Sequence, residues 1–300
     1  MRTSPPEPSV HRRRLRRALT LCVLAISAGQ ASTARGDAGE ARSTRIVSIN
    51  MCTDELLLRL ADRRNIASVT WLSRDETNSN VAALARDVPV NHGLAEEVLA
   101  FRPDLVVAGA FTTRSTVQIL RRTGVKVVEF GVPRTMDEVR TEIREVAATI
   151  GERERGEAVV RDMDARLAAL TSGAGASPRR AIVLRPNGFT VAKGSLVDEI
   201  MRLAGLENMA AHVGIPTYLQ IPLEAVVLQK ADVLIMNGDA NGPPSLATEA
   251  LHHPVITTLG ERLKIVTVPS RLWTCAGPAV VDAVQWLVAR TGGDGGKAAR

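Results

Sequence analysis

The chain has 300 residues, 45% of them apolar, enough to fill the core of one large or two medium domains. Its net charge of +6 invites a nucleic-acid partner, but the charge is in the wrong place for one. Nine of the 38 basic residues and three of the 32 acidic ones fall in residues 1–45, leaving 29 of each sign. The body therefore offers no basic stripe for phosphates, and no nucleic-acid partner is expected.

Residues 1–38 have the order of a secretory signal peptide: the basic HRRRLRR, an apolar run from Ala18 to Ala28, then small residues for cleavage near Ala31, Ala34 or Ala38. The run is short for a membrane span, so a retained anchor is the weaker alternative. Arg16-Arg17 is only a weak match to twin-arginine export. Leu21 stands before Cys22, where lipidation would need a small residue. The body is expected outside the cytoplasm, in an oxidising compartment.

From Arg45 to about Gly131, strands and helices alternate. RIVSIN, IASVTW, DLVVAGAF and VKVVEFG read as buried strands, separated by helical segments such as MCTDELLLRLAD, AEEVLAFR and TRSTVQILRRTG. Such alternation predicts a parallel sheet with helices on both faces, a first lobe over 45–151. Thr135-Met136-Asp137-Glu138 has the capping-box pattern and opens a helix reaching Gly151. ERERGEAVVRDMDARLAAL then predicts a lone amphipathic helix over 152–170, roughly 28 Å long. TSGAGASPRR is a linker, and the alternation resumes over 178–292. There AIVLRP, FTVAK, DVLIMNG and LKIVTVP read as strands; LVDEIMRLAG, PLEAVVLQK, SLATEALHH and a last segment from Pro278 to about Arg290 read as helices. Residues 293–300 are expected to be disordered.

The two halves echo each other. AEEVLAFRPDLVVAG and LEAVVLQKADVLIMN align with Glu96 and Asp104 each 128 residues before Glu224 and Asp232. Asp54-Glu55 and Asp198-Glu199 both lead into a helix carrying Arg-Leu-Ala. Any two α/β units share helix-then-strand patterning, so the echo gains weight from the long helix between the halves. Together they predict two similar α/β lobes joined by that helix, with a ligand cleft between them.

Catalytic signatures are missing: no phosphate loop, no GxGxxG, no GxSxG and no HExxH. His252-His253 reads as a solvated helix end, His92 as a loop residue, and no set has zinc-ligand spacing. The chain is read as a binding protein without catalytic residues, resident metal or cofactor; an exported hydrolase is the rival class. The informative loops are Asn50–Asp54, after the first strand, and Arg271–Pro278, after the last. In parallel α/β sheets, ligands gather at such carboxyl ends. Asn50, Cys52, Thr53, Trp273 and Cys275 are therefore candidate ligand contacts, with Trp71, Phe111 and Tyr218 as further aromatic ones. A buried Trp is more often core, and Tyr218 sits in the Pro-flanked IPTYLQIP loop. Cys52 and Cys275 fit a disulfide as well as two cleft-lining thiols. Because a bridge would lock the lobes, free thiols beside Trp71 and Trp273 are expected in the ligand-competent form.

RIVSINMCTDELLLRL, GLAEEVLAFRPDLVVAG, LVDEIMRLAGLENMA and IPLEAVVLQKADVLIM, in this order, resemble the substrate-binding proteins of ABC importers for ferric siderophores, haem and cobalamin. The resemblance covers roughly residues 45–290. It implies two Rossmann-like lobes on a helical backbone, a periplasmic monomer, and delivery of a metal chelate to a permease and its ATPase. It also implies that Glu96 and Glu224 dock on permease arginines. The first-loop Cys and the WTCAGP loop look like a branch associated with corrinoid uptake, so cobalamin is favoured over siderophore and haem.

Overall fold

A computed structural model describes residues 44–171, 177–191, 193–212, 218–221, 223–228, 230–238, 245–260 and 262–292. The expected signal peptide, residues 172–176 of the expected linker and the expected disordered tail lie outside the described residues, while Arg179 and Arg180 of that linker already belong to a strand. Both lobes belong to one compact unit that begins at Ser43.

The first lobe opens with β1 (Ile46–Ser48), α1 (Met51–Leu60) and β2 (Ile66–Thr70), followed by α2 (Ala82–Ala85) and β3 (Val90–Asn91). It continues through α3 (Ala95–Ala100), β4 (Leu105–Gly109), α4 (Arg114–Arg122) and β5 (Lys126–Phe130). The five strands form one parallel sheet in the order β3-β2-β1-β4-β5. β1 and β4 are buried along their whole length, as their unbroken apolar runs require when helices cover both faces.

α5 (Met136–Thr149) starts where the capping pattern places it: the Thr135 hydroxyl accepts from Glu138 N at 3.1 Å. Its partner α6 (Arg153–Thr171) is the long connecting helix. Val160, Met163 and Leu167 of α6 join Ile143 and Val146 of α5 in the main apolar cluster. That cluster continues into the second lobe, so the lobes share a core along the connecting helix.

The second lobe holds β6 (Arg179–Leu184), β7 (Phe189–Val191), α7 (Leu196–Leu203), β8 (Leu206–Asn208) and β9 (Tyr218–Gln220). α8 (Leu223–Leu228), β10 (Val233–Asn237), α9 (Pro254–Gly260), β11 (Lys264–Val268) and α10 (Val280–Thr291) complete it. The parallel sheet runs β11-β10-β6-β8. FTVAK is a strand as read, but β7 pairs antiparallel with β9, which the expected Tyr218 loop turns out to contain, as a separate ribbon. The expected SLATEALHH helix is instead a turn and a short 3-10 segment, Glu249–His252; the α-helix begins only at Pro254, where the missing N–H costs nothing.

The sequence echo has a structural cause. Asp104, just before β4, accepts from Arg45 N at 2.8 Å; Asp232, just before β10, accepts from Arg180 N at 3.1 Å. Each carboxylate thereby ties its central strand to the neighbouring one. Two residues earlier, Arg102 and Lys230 both adopt left-handed backbone, with φ of 48° and 47°. These residues are also 128 apart, so the same helix-to-strand turn is built twice.

Candidate functional site

A cavity of about 330 Å³ lies between the lobes. It is lined from the first lobe by Asn50, Cys52 and Thr53 after β1, Gly109 to Phe111 after β4, and Phe130 to Arg134 after β5. Arg185 after β6, Ser195 to Val197 at the start of α7, and Trp273, Thr274 and Ala276 after β11 line it from the second lobe; α5 adds Glu142. The two sheets thus converge their carboxyl ends on one space, the placement that parallel topology favours. Phe111 is 87% exposed and Val132 half-exposed, which puts the cavity mouth on their side.

Asn50 N-caps α1, its side-chain oxygen accepting from Cys52 N at 2.9 Å. β4 must pass close to that cap, and a Cβ on Gly109 would lie 2.7 Å from the Asn50 side-chain carbon. Glycine is what lets the two strand ends meet there. Thr53 is buried, its hydroxyl donating to Asn50 O at 3.0 Å and lying 2.7 Å from Ser48 Oγ. Behind it, Asp54 is fully buried and accepts from the Thr70 backbone N–H and hydroxyl. Burial drives its pKa up to about 7, against the lowering effect of the Ser48 and Thr70 hydrogen bonds.

Cys52 and Cys275 are joined in a disulfide, Cα atoms 5.1 Å apart. This corrects the expectation of free thiols. The bridge ties α1 to the loop before α10 at one flank, while the mouth lies at Phe111 and Val132, so it staples the lobes without shutting the cavity. Sulfur held in a disulfide is no thiolate ligand for a metal, and Cys275 itself lies outside the cavity lining. Asn80 Nδ2 reinforces the junction, donating to Arg271 O across the lobes at 2.6 Å. On the α5 side, Met136 N donates to Glu199 at 2.8 Å and Arg134 Nε to Gly194 O at 3.0 Å.

Trp273 is both wall and core. It is 4% exposed, its indole N–H donates to Asn237 Oδ1 at 2.8 Å, and the Arg185 guanidinium stands 5.5 Å from the ring centroid. Trp71 is a second correction: it is half-exposed beside His92, ring centroids 6.3 Å apart, and does not line the cavity. The strand order explains this, because β2 lies on the far side of β1 from β4 and β5. Tyr218 lies on β9, and its side chain is outside the described residues. Glu96 and Glu224 are each the second residue of their helices, α3 and α8, and both are exposed.

Sequence reasoning missed Arg134, Glu142 and Arg185. The two arginines follow β5 and β6, where the carboxyl-end rule applies equally. Glu142 had its own signal, since it interrupts the apolar stripe Val139, Ile143, Val146 of an amphipathic helix. A second hollow of about 590 Å³, lined by Arg59, Asn80, Arg271, Asp282 and Trp286 among others, also touches both lobes. Of the strand-end loops facing the main cavity, only the one after β11 reaches this hollow, through Arg271 and Leu272, and it is the weaker ligand candidate despite its size. Among the described residues no group of His, Cys, Asp or Glu is arranged to hold a metal ion, and no helix is long and apolar enough to cross a membrane.

Two α/β lobes on a helical backbone, with a cavity at their converging strand ends, define a solute-binding architecture. The chain belongs to the periplasmic binding protein family, whose profile matches residues 46–252. It is 24% identical over 202 residues to a cobalamin-binding protein of Halobacterium salinarum, covering 66% of this chain. The match spans about half, 54%, of that relative's length. Among solved structures, the periplasmic heme-binding protein HutB of Vibrio cholerae superposes with a TM-score of 0.70 at 19% identity, over 84% of this chain and 100% of that one. The periplasmic vitamin B12-binding protein BtuF of Vibrio cholerae gives 0.63 at 20% identity, over 82% and 95%.

Proposed function

We propose that this chain is exported to the periplasm and serves as the solute-binding subunit of an ABC importer. It holds a metal chelate in the inter-lobe cavity, a corrinoid such as cobalamin foremost, and passes it unmodified to the permease. The carrying observation is the cavity itself: an open-mouthed space at the strand ends of both lobes, walled by Trp273, Phe111 and Val132. Its volume is at the low end for ligand sites, so a large chelate stands partly in the mouth. The similarity to a cobalamin-binding protein supports the corrinoid. Arg134 and Arg185 in the wall favour a second reading, an anionic chelate such as haem or a ferric siderophore. The exposed Glu96 and Glu224, at equivalent places on the two lobes, are proposed to dock on the permease.

The test is to incubate the protein with cyanocobalamin, haem or a ferric siderophore, desalt it, and record its absorption spectrum and melting temperature. Co-elution of intact cobalamin is expected. At a hundred times its dissociation constant the ligand adds about 2.7 kcal/mol of stability. If no chelate co-elutes and none raises the melting temperature, the reading is wrong; turnover of a bound compound would favour the hydrolase.

A further inference from the structure

Among the described residues, Glu142 is the one acidic side chain lining the inter-lobe cavity. It is 9% exposed, and among the described residues its carboxyl makes no hydrogen bond. A largely buried carboxyl with no protein donor is costly, its oxygens left to the solvent of the cavity, and helix α5 gains nothing from it there, since its neighbours on that face are Val139, Ile143 and Val146. We propose, on the reading of this cavity as the chelate site, that Glu142 recognises the ligand by accepting a hydrogen bond from an uncharged N–H group, such as a peripheral carboxamide. This selects amide-bearing corrinoids over chelates that present only carboxylates.

The charge pattern supports a donor on the ligand. Arg134 and Arg185 line the same cavity, but the Arg134 guanidinium is tethered to Gly194 O and Arg185 sits by the Trp273 ring. Glu145, one turn along α5, adds negative charge. Glu199, from α7, is engaged by Met136 N; Asp164 and Glu157 of α6 are held by Arg140 and Arg144. From α1, Asp54 is bound to Thr70 and does not line the cavity. Burial first, and Glu145 second, raise the Glu142 pKa to about 7. An N–H donor favours the ionised form, so ligand binding expels the proton and affinity climbs with pH through neutrality. A ligand carboxylate would need the protonated form, and affinity would fall instead.

The experiment titrates cyanocobalamin and, separately, haem into wild type, Glu142→Gln and Glu142→Leu at pH 6 and pH 8, following tryptophan fluorescence. For cyanocobalamin, wild-type affinity is expected to rise about fivefold between the two pH values, and Glu142→Gln to bind with no such rise. Glu142→Leu should bind about tenfold more weakly at pH 8, because the ligand donor loses its partner. Should the leucine variant fail to fold, the glutamine variant decides: a pH slope equal to wild type overturns the assignment. So does cyanocobalamin binding that is unchanged in Glu142→Leu, or wild-type affinity that falls with pH. Wild type that binds neither of these chelates nor a ferric siderophore overturns the proposed function and this assignment with it; wild type that binds only haem or a siderophore overturns the donor assignment alone.

Discussion

Replacing both Cys52 and Cys275 with alanine removes the bridge without leaving a stray thiol, and the size of the effect follows from where the bridge sits. The cysteines are 223 residues apart in sequence. Closing a loop of that length restricts the unfolded chain by about 5 kcal/mol of entropy at room temperature. The folded lobes keep their other ties, the Asn80 bond to Arg271 O, the Met136 bond to Glu199 and the shared apolar core around α6. The variant should therefore fold to the same structure but melt roughly 10–20 °C lower, at about 2–4 °C per kcal/mol for a protein of this size. Thermal unfolding followed by circular dichroism, with reduced wild type as the second sample, measures this. If the double variant and the reduced protein both melt within about 2 °C of oxidised wild type, the bridge contributes nothing, and the reasoning from loop closure fails.

Gly109→Ala should force the Asn50 side chain from its capping position, costing about 1–3 kcal/mol in a melt and weakening chelate binding in titration. Asp54, its pKa raised from 3.8 to about 7, binds a proton in the folded state that it gives up when unfolded across that window. Its contribution is therefore complete below about pH 4 and lost as pH rises through 7; Asp54→Asn, which keeps an acceptor for Thr70, should flatten that part of a stability-versus-pH curve, and an unchanged slope would refute the assignment. Reversing Glu96 and Glu224 to Lys should leave chelate affinity intact while transport in reconstituted vesicles drops, since both side chains face solvent away from the cavity; undiminished transport in the double reversal would remove their docking role.

Much of the fold was legible because it rests on local patterns. The strands β1, β2, β4 and β5 follow from apolar runs, α5 from its capping box, and α6 from its amphipathic length. Even the duplicated turn was visible, as the 128-residue offset between Asp104 and Asp232. The short β3, β8 and β9 were not legible, because VN, LEN and YLQ lack the apolar run that marks the equally short β1, and they exist only by pairing with a neighbour. The 3-10 turn before Pro254 was hidden for a related reason: helical composition in SLATEALHH loses to the proline and to the Thr248 side chain, which bonds back to Ser245.

The sequence alone determined two α/β lobes, one connecting helix, and the rule that a ligand belongs at the strand ends, since these follow from hydrophobic period and parallel connectivity. Only the tertiary structure decided which strand ends share a cavity. Strand order put β2, and Trp71 with it, beyond β1, and no local pattern encodes lateral order. Packing of α5 on α6 turned Glu142 inward to the cavity. The approach of the lobes brought Cys52 and Cys275 together across 223 residues, since pairing depends on Cα separation in space and not on distance along the chain.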